Sequence, residues 1–213
     1  MKDIIAHLRK EYSRESFDIK DASNDPFKQF SLWFEQALNA EVNEPNAMIL
    51  STISNENKPA SRTVLLKALD DKGFVFFTNY NSRKGIHLES NPAASLVFLW
   101  LELHKQIIVE GTAEKLSAEE SDKYFAIRPR QSQIGAWASP QSQILENRQE
   151  LENQFAFYDK KFAAKIIKRP EHWGGFRIIP NRIEFWQGRE SRLHDRILYK
   201  REKSKWKIIR LAP

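Results

Sequence analysis

The chain has 213 residues and a formal net charge of +6, with 41% hydrophobic and 29% charged residues. This ordinary globular composition excludes extended disorder, and the length favours a single elaborated domain. The sequence contains no cysteine, which excludes disulfides, thiolate nucleophiles, iron–sulfur ligation and cysteine-ligated zinc, and favours a cytoplasmic location.

The positive charge has two interpretations that composition does not separate. It could form a nucleic-acid-binding surface, or its Arg and Lys residues could collect around phosphorylated small molecules. No stretch is long enough to span a membrane. The first 12 residues mix charged with apolar side chains and lack the apolar core of a signal peptide.

A helix is predicted from Asp25-Pro26 to about Ala40, because its apolar residues recur at helical spacing. Runs rich in β-branched and aromatic residues then predict five strands, at Ala47–Ser54, Ser61–Ala68, Phe74–Thr78, Ala94–Leu101 and Gln106–Lys115. Two short helices are predicted at Ser82–Ser90 and Ser117–Ile127, the second with a capping box and an end at Pro129.

A longer amphipathic helix is predicted over Gln141–Phe162. The chain then predicts four closing strands separated by turns near Asn181, Gly188 and Lys203-Ser204: Phe176–Ile179, Ile183–Trp186, Ile197–Lys200 and Trp206–Ile209. These strands are short and mostly joined by hairpins, so we expect an α+β fold whose sheet is mainly antiparallel, as a barrel or a sandwich.

The glycine and histidine patterns exclude two kinds of site. The seven glycines form neither a dinucleotide fingerprint nor a phosphate-binding loop, so phosphate must be held by side chains. The five histidines show no metal-binding spacing, and we expect no metal.

Two neighbouring segments carry candidate phosphate ligands. Arg62 and Lys67 lie on opposite faces of a predicted strand, so that one cation could serve each of two anions. The next segment, Phe76–Gly85, runs from a predicted strand into a helix start. Hydroxyl, backbone amide and cationic groups come together there, which suits a phosphate-binding site. Its candidates are Phe77, Thr78, Ser82, Arg83 and Lys84. Each pattern alone is equally well or better explained by surface charges around a core strand or a capped helix.

Further candidates lie in the second half of the chain. Tyr124 and Arg128 share one helix face and Ser132 follows, a set that suits a dianionic phosphate, although a plain helix end would also explain it. Neutral polar and aromatic groups could bind the edge of a planar heterocycle; they are Gln106, Gln141, Ser142, Trp186 and Gln187. Four ionisable groups crowd Arg192-Leu193-His194-Asp195-Arg196, which favours a functional interpretation over a structural one.

Ordered motifs over nearly the whole chain resemble one enzyme family. They are Arg128-Pro129-Arg130, Ser132-Gln133-Ile134-Gly135-Ala136, Trp173-Gly174-Gly175, Ile183-Glu184-Phe185-Trp186-Gln187-Gly188 and Arg192-Leu193-His194-Asp195-Arg196. Together they resemble the pyridoxine (pyridoxamine) 5′-phosphate oxidases, which use FMN to make pyridoxal 5′-phosphate. The chain departs from the family at Lys105, where arginine is usual, which puts an interfacial ion pair there in doubt.

The resemblance implies a split β-barrel of the FMN-binding type with peripheral helices, and a homodimer whose interface holds two flavins. It implies that FMN contacts Arg62, Lys67, Phe77, Thr78, Arg83, Lys84, Gln106, Gln141, Ser142, Trp186 and Arg196. It assigns the substrate phosphate to Lys67, Tyr124, Arg128 and Ser132, and the pyridine ring to the catalytic residues Arg192 and His194. Arg9 and Tyr12 would come from a mobile segment, residues 1–20, followed by a single domain over 21–213.

The implied reaction is hydride transfer from substrate C4′ to flavin N5, followed by reoxidation by O2 to give H2O2. Two other functions stay open. One is a split-barrel protein that binds FMN or haem without this activity, because fold does not determine function. The other is a single-stranded nucleic-acid binder, since Lys72-Gly73-Phe74-Val75-Phe76-Phe77 resembles part of an RNA-recognition motif. That match lacks the small residue after the first aromatic, and its neighbours are predicted hairpin strands, so we expect no nucleic-acid partner.

Overall fold

A computed structural model describes residues 15–213. The predictions for Arg9 and Tyr12 therefore lie outside the described residues. The helices of the described part are α1 (Pro26–Asn39), α2 (Arg83–Ser90), α3 (Ala118–Ile127), α4 (Arg130–Ala138) and α5 (Arg148–Lys161). The strands are β1 (Ala47–Ile53), β2 (Pro59–Leu65), β3 (Ala68–Leu69), β4 (Phe74–Asn79), β5 (Ala93–Trp100), β6 (Lys105–Lys115), β7 (Trp173–Gln187), β8 (Asp195–Glu202) and β9 (Lys205–Leu211).

Three of the four predicted helix starts are confirmed by their caps. The Asp25 carboxylate accepts the first hydrogen bond of α1 from a backbone N–H at 2.9 Å. Ser82 caps α2 in the same way. Ser117 and Glu120 form the predicted capping box of α3, with both reciprocal bonds at 3.1 Å. These bonds join residues two or three positions apart, so the local sequence is sufficient to specify them.

The helical region after Pro129 differs from the prediction. Pro129 ends α3 as expected, but α4, which was not predicted, begins at the next residue. The fixed φ of proline makes it compatible with the position just before a helix as well as with a helix end. The long helix predicted from Gln141 was wrong in its first part, because α5 begins only at Arg148 and Ile144 is 98% exposed.

The strands form one hydrogen-bonded sheet in the order β2-β1-β5-β6-β7-β4-β3, and β8 joins β7 to β9. Antiparallel pairing links β3 to β4, β4 to β7, β7 to β8 and β8 to β9. The predicted α+β class with a mainly antiparallel sheet is confirmed.

Strand β7 is continuous, so the predicted turn near Asn181 was wrong. Its first part pairs with β4 as far as Ile178 opposite Phe74, and its second part pairs with β8 from Arg182 opposite Lys200. Pro180 lies between these two registers, where its missing N–H is not needed for either of them.

The described chain divides into two compact units. The first unit holds residues 15–49, Ser95–Glu110 and Pro180–Pro213, and its aromatic core includes Trp33, whose ring lies 5.2 Å from that of Phe185. In this unit Lys105 is buried, with Nζ 2.6 Å from Gln36 Oε1 and 5.0 Å from the centre of the Trp33 ring. The prediction of one domain over 21–213 stays a prediction.

The second unit holds Leu50–Ala94 and Gly111–Ile179. Its helices pack around a buried cluster of Phe125, Ile134, Ala136, Ile167 and Trp173. Helix α5 contributes Phe155 and Tyr158 to the margin of this cluster. Among the described residues, no helix has the length and apolar character needed to cross a membrane.

Candidate active site

The second unit contains a cavity of about 420 Å³. Its walls come from β2 and the residues just after it, β4, the start of α2, helices α3 and α4 with their connection, the segment after α4 and the start of β7. Many of its lining residues are among those predicted from the sequence: Lys67, Phe77, Thr78, Lys84, Tyr124, Arg128, Ser132 and Gln141. The structure thus brings together candidates that are up to 74 positions apart in the chain.

Lys84 is the cation on one side of this cavity. Its Nζ lies 3.1 Å from both Thr78 Oγ1 and Gln141 Oε1, and 3.2 Å from Ser82 Oγ. Burial and then the nearby charge of Arg62 lower the pKa of Lys84 to about 8. The partners in these bonds are neutral oxygens, so they leave the ammonium charge available to an anion.

Arg62 is held beside Lys84 by its own hydrogen bonds. Its Nη1 donates to Leu50 O at 3.1 Å and to Thr52 Oγ1 at 2.8 Å. Burial, and secondarily the charge of Arg83, lower the pKa of Arg62. Like charges that lie close enough to lower the pKa of a neighbour also raise the local positive potential, as a phosphate site requires.

Thr52 and His87 support Arg62, and the sequence interpretation missed both. The Thr52 hydroxyl lies 3.1 Å from His87 Nδ1 and also accepts from Arg62. His87 is buried, and its pKa is lowered by burial and then by Arg83 and Arg62, which favours the neutral ring. The sequence signal that could have identified His87 is its distance from Arg83. His87 follows Arg83 by four positions, so the two residues lie on the same face of α2.

A second cation, Arg128, faces the cavity at the end of α3. Its guanidinium carbon lies 4.4 Å from the centre of the Trp173 ring. Nη1 is buried and has no hydrogen-bond partner among the described residues. Burial lowers the pKa of Arg128, although the neighbouring Tyr124 opposes this effect. An unpaired buried guanidinium N–H is costly, and an anion in the cavity would satisfy it.

Gln133 and Tyr124 order the chain around Arg128. Gln133, which was not predicted, donates from Nε2 to the carbonyl oxygens of Phe125, Ala126 and Arg128 at 3.0–3.1 Å, and so closes the end of α3. The ring of Tyr124 stacks on that of Phe77 at 3.9 Å. Burial raises the pKa of the Tyr124 phenol, so the group stays a hydrogen-bond donor.

The other predicted residues of the second unit, Arg83 and Ser142, are exposed. Arg83 is the first residue of α2, and its charge acts on Arg62 and His87. Ser142 has a left-handed backbone with φ of 73°.

The remaining candidates belong to the first unit. Gln106 is a half-buried residue of β6. Trp186 lies opposite Arg196 in the β7–β8 register, with its ring 4.6 Å from that of His194. Arg196 donates to both carboxylate oxygens of Glu184, at 2.8 and 3.0 Å, and to Ala212 O.

Arg192 and His194 lie in the loop between β7 and β8. The Nδ1 atom of His194 accepts from the Arg189 N–H at 3.1 Å, which places the proton of the neutral imidazole on Nε2. Burial and then the charge of Arg192 lower the pKa of His194, which favours this neutral form.

The chain matches two family models. One, described as "Pyridoxamine 5'-phosphate oxidase", matches residues 34–158. The other, described as "Pyridoxine 5'-phosphate oxidase C-terminal dimerisation region", matches residues 173–213.

Curated proteins named "Pyridoxine/pyridoxamine 5'-phosphate oxidase" are similar over almost the full length. The protein from Rubrobacter xylanophilus is 53% identical over 98% of this chain and 96% of its own. The protein from Paraburkholderia phytofirmans is 54% identical over 98% of this chain and 99% of its own.

Two solved structures share the fold. PhzG from Burkholderia lata, determined with tetrahydrophenazine-1-carboxylic acid, has a TM-score of 0.89 and 31% identity over 94% of this chain and 100% of its own. A pyridoxamine 5'-phosphate oxidase-related FMN-binding protein from Nostoc punctiforme has a TM-score of 0.72 and 16% identity, over 90% of this chain and 100% of its own. These similarities confirm the predicted split β-barrel with peripheral helices.

Proposed function

Because the chain belongs to the pyridoxamine 5′-phosphate oxidase family and is an oxidoreductase of that family, we propose that it oxidises pyridoxamine 5′-phosphate and pyridoxine 5′-phosphate to pyridoxal 5′-phosphate with FMN as cofactor. The observation that carries this proposal is the cavity of the second unit. It is lined on one side by Lys84 with its partners Thr78 and Gln141, and it is also lined by Arg128, whose Nη1 is buried and unpaired among the described residues. Two separate cationic groups in one cavity suit two phosphorylated molecules, a cofactor and a substrate.

The residues around Lys84 fit the phosphate of FMN. Arg62 and Lys84 supply positive charge that their neutral partners do not cancel, and the start of α2 adds backbone N–H groups. The wider proposed set for FMN consists of Arg62, Lys67, Phe77, Thr78, Arg83, Lys84, Gln106, Gln141, Ser142, Trp186 and Arg196. When bound, FMN supplies the redox chemistry, as acceptor of a hydride from substrate C4′ and donor of two electrons to O2, which becomes H2O2.

The residues around Arg128 fit the phosphate of the substrate. Arg128 offers a planar fork of donors, Tyr124 a phenol and Ser132 a hydroxyl, and Lys67 lines the same cavity. Anchoring the substrate by its phosphate would help to hold the donor carbon in a near-attack arrangement, in which reacting atoms are typically about 3–3.5 Å apart.

Arg192 and His194 are proposed to orient the pyridine ring. The neutral imidazole would donate a hydrogen bond from Nε2 to the oxygen of the substrate's 3-hydroxyl group. The positive charge of Arg192 would stabilise negative charge on that oxygen.

We also propose a homodimer in the cytoplasm, with O2 as the second substrate. The match of residues 173–213 to a dimerisation region supports the dimer. Oligomers of this kind are most often two-fold symmetric, which provides the same site twice.

The test uses the purified protein and its visible spectrum. We expect a flavin spectrum, release of FMN on denaturation, and anaerobic bleaching on addition of pyridoxamine 5′-phosphate but much less with unphosphorylated pyridoxamine. Release of FAD would contradict the proposed cofactor, since the proposed site offers side-chain cations for one terminal phosphate and no glycine loop for a pyrophosphate. A yellow protein that does not bleach, or a haem spectrum, would indicate a split-barrel protein without this activity.

A further inference from the structure

The loop that carries Arg192 and His194 has an unfavourable backbone. Ser191 and Arg192 have φ values of 56° and 61°, in the left-handed region that non-glycine residues rarely occupy. Two such residues in succession persist only where surrounding contacts impose them. The loop itself contributes one backbone bond, from Leu193 N to Glu190 O at 3.2 Å.

Asp195 directly follows this loop and is the centre of a hydrogen-bond network in the first unit. Its side chain is only 13% exposed. Its carboxylate accepts from Arg189 Nη1 at 2.9 Å, from Arg210 Nη1 at 2.8 Å and from the Phe17 N–H at 3.1 Å. Burial disfavours the charged form, but these bonds prevail and lower the pKa of Asp195, so the group is a carboxylate at neutral pH.

The bond between Asp195 and Arg189 closes the loop across its base. Asp195 lies opposite Gln187 in the β7–β8 register, so the two strands meet there. Arg189 is tied twice, since its side chain binds Asp195 and its backbone N–H binds His194 Nδ1. The Asp195 carboxylate is therefore linked to the His194 imidazole through one intermediate residue, Arg189.

Two contacts hold Asp195 from outside the loop. Arg210, on β9, also forms an ion pair with Asp18 at 3.0 Å, and Phe17 is buried with its ring 5.0 Å from that of Trp33. Asp195 is therefore fixed to the core of its unit, and Arg189 transmits that fixed position to the loop.

We propose that Asp195 is a positioning residue: its carboxylate holds the loop 189–194 closed through Arg189 and so sets the places of Arg192 and His194. The catalytic consequence rests on the function proposed above, whereas the effect on the loop does not. The charge is essential to the argument, because an amide in its place would lose the ion pairs with Arg189 and Arg210.

The test compares Asp195→Asn, Arg189→Met and the double variant as FMN-loaded proteins. Hydrogen exchange of the peptide 188–194 is followed by mass spectrometry, and kcat and KM are measured with pyridoxamine 5′-phosphate. Glu110→Gln is the control for loss of a carboxylate–arginine pair, because Glu110 forms a more exposed pair with Arg182 in the same unit, at 3.2 Å.

We expect Asp195→Asn and Arg189→Met each to speed exchange in the loop by about tenfold or more, and to lower kcat by about 10-fold to 100-fold. FMN content should stay at the wild-type level. The double variant should be no worse than Asp195→Asn alone, since that variant already removes the ion pair between Asp195 and Arg189. Glu110→Gln should change neither measurement.

Unchanged loop exchange in Asp195→Asn would overturn the proposal, as would faster exchange with unchanged kcat. Fully additive losses in the double variant would also count against it, because they would mean that Asp195 and Arg189 act separately. If the wild-type protein does not oxidise pyridoxamine 5′-phosphate, the proposed function fails. The exchange data would then still decide whether Asp195 closes the loop.

Discussion

Replacing Arg128 with alanine should weaken the binding of phosphorylated substrate by about 10-fold to 150-fold. The variant removes charge-assisted hydrogen bonds to the substrate phosphate, which contribute roughly 1.5–3 kcal/mol. The structure supports a large effect on binding, because Nη1 of Arg128 is buried in the cavity wall without a hydrogen-bond partner among the described residues. The N–H groups of Nη1 are thus available to a ligand.

The same geometry predicts a small effect on folding. The substitution loses the contact with the Trp173 ring at 4.4 Å, worth about 0.5–2 kcal/mol, but it also removes the cost of burying an unpaired N–H. These two effects oppose each other. We therefore expect the Tm of Arg128→Ala to stay close to that of the wild type.

The assay measures KM for pyridoxamine 5′-phosphate, the Kd for pyridoxal 5′-phosphate and the flavin content by absorbance. Arg130→Ala is the control, because Arg130 is two positions away but 43% exposed and bound to Asp159 and to Phe162 O. It should leave all three quantities unchanged. If Arg128→Ala lost FMN and kept its substrate affinity, the assignment of the two phosphate sites would be reversed.

Three further outcomes are expected. Burial and the charge of Arg62 lower the pKa of Lys84 to about 8, so this residue loses its charge above that pH. The Kd of the apoprotein for FMN should therefore rise by up to about tenfold per pH unit above pH 8. Lys84→Met should abolish this pH dependence. A pH-independent Kd in the wild type would contradict a role for Lys84 in binding the phosphate. Arg192→Ala and His194→Ala should give folded, FMN-bound proteins with low kcat, whereas a loss of Tm with normal turnover would favour a structural role. The active enzyme should have the mass of two chains by light scattering, and a monomeric mass would refute the dimer.

Local patterns in the sequence were sufficient for most elements. The helix starts at Asp25, Ser82 and Ser117 were predicted correctly because each cap depends on residues at most three positions away. The sequence was insufficient where proline was ambiguous. Pro129 ends one helix and directly precedes another, and Pro180 lies inside a continuous strand that changes its pairing partner there.

The sequence by itself determined the family, the fold class and the types of side chain available for two phosphates, because motifs and periodicity are properties of the chain order. Only the tertiary structure decided which of these groups are buried together and which polar atoms are already paired. Lys84 and Gln141 are 57 positions apart, and the Phe17 N–H and Asp195 are 178 apart. Burial and hydrogen bonding over such separations depend on the folded arrangement, so the lowered pKa of Lys84, the unpaired Nη1 of Arg128 and the network around Asp195 do not follow from local sequence.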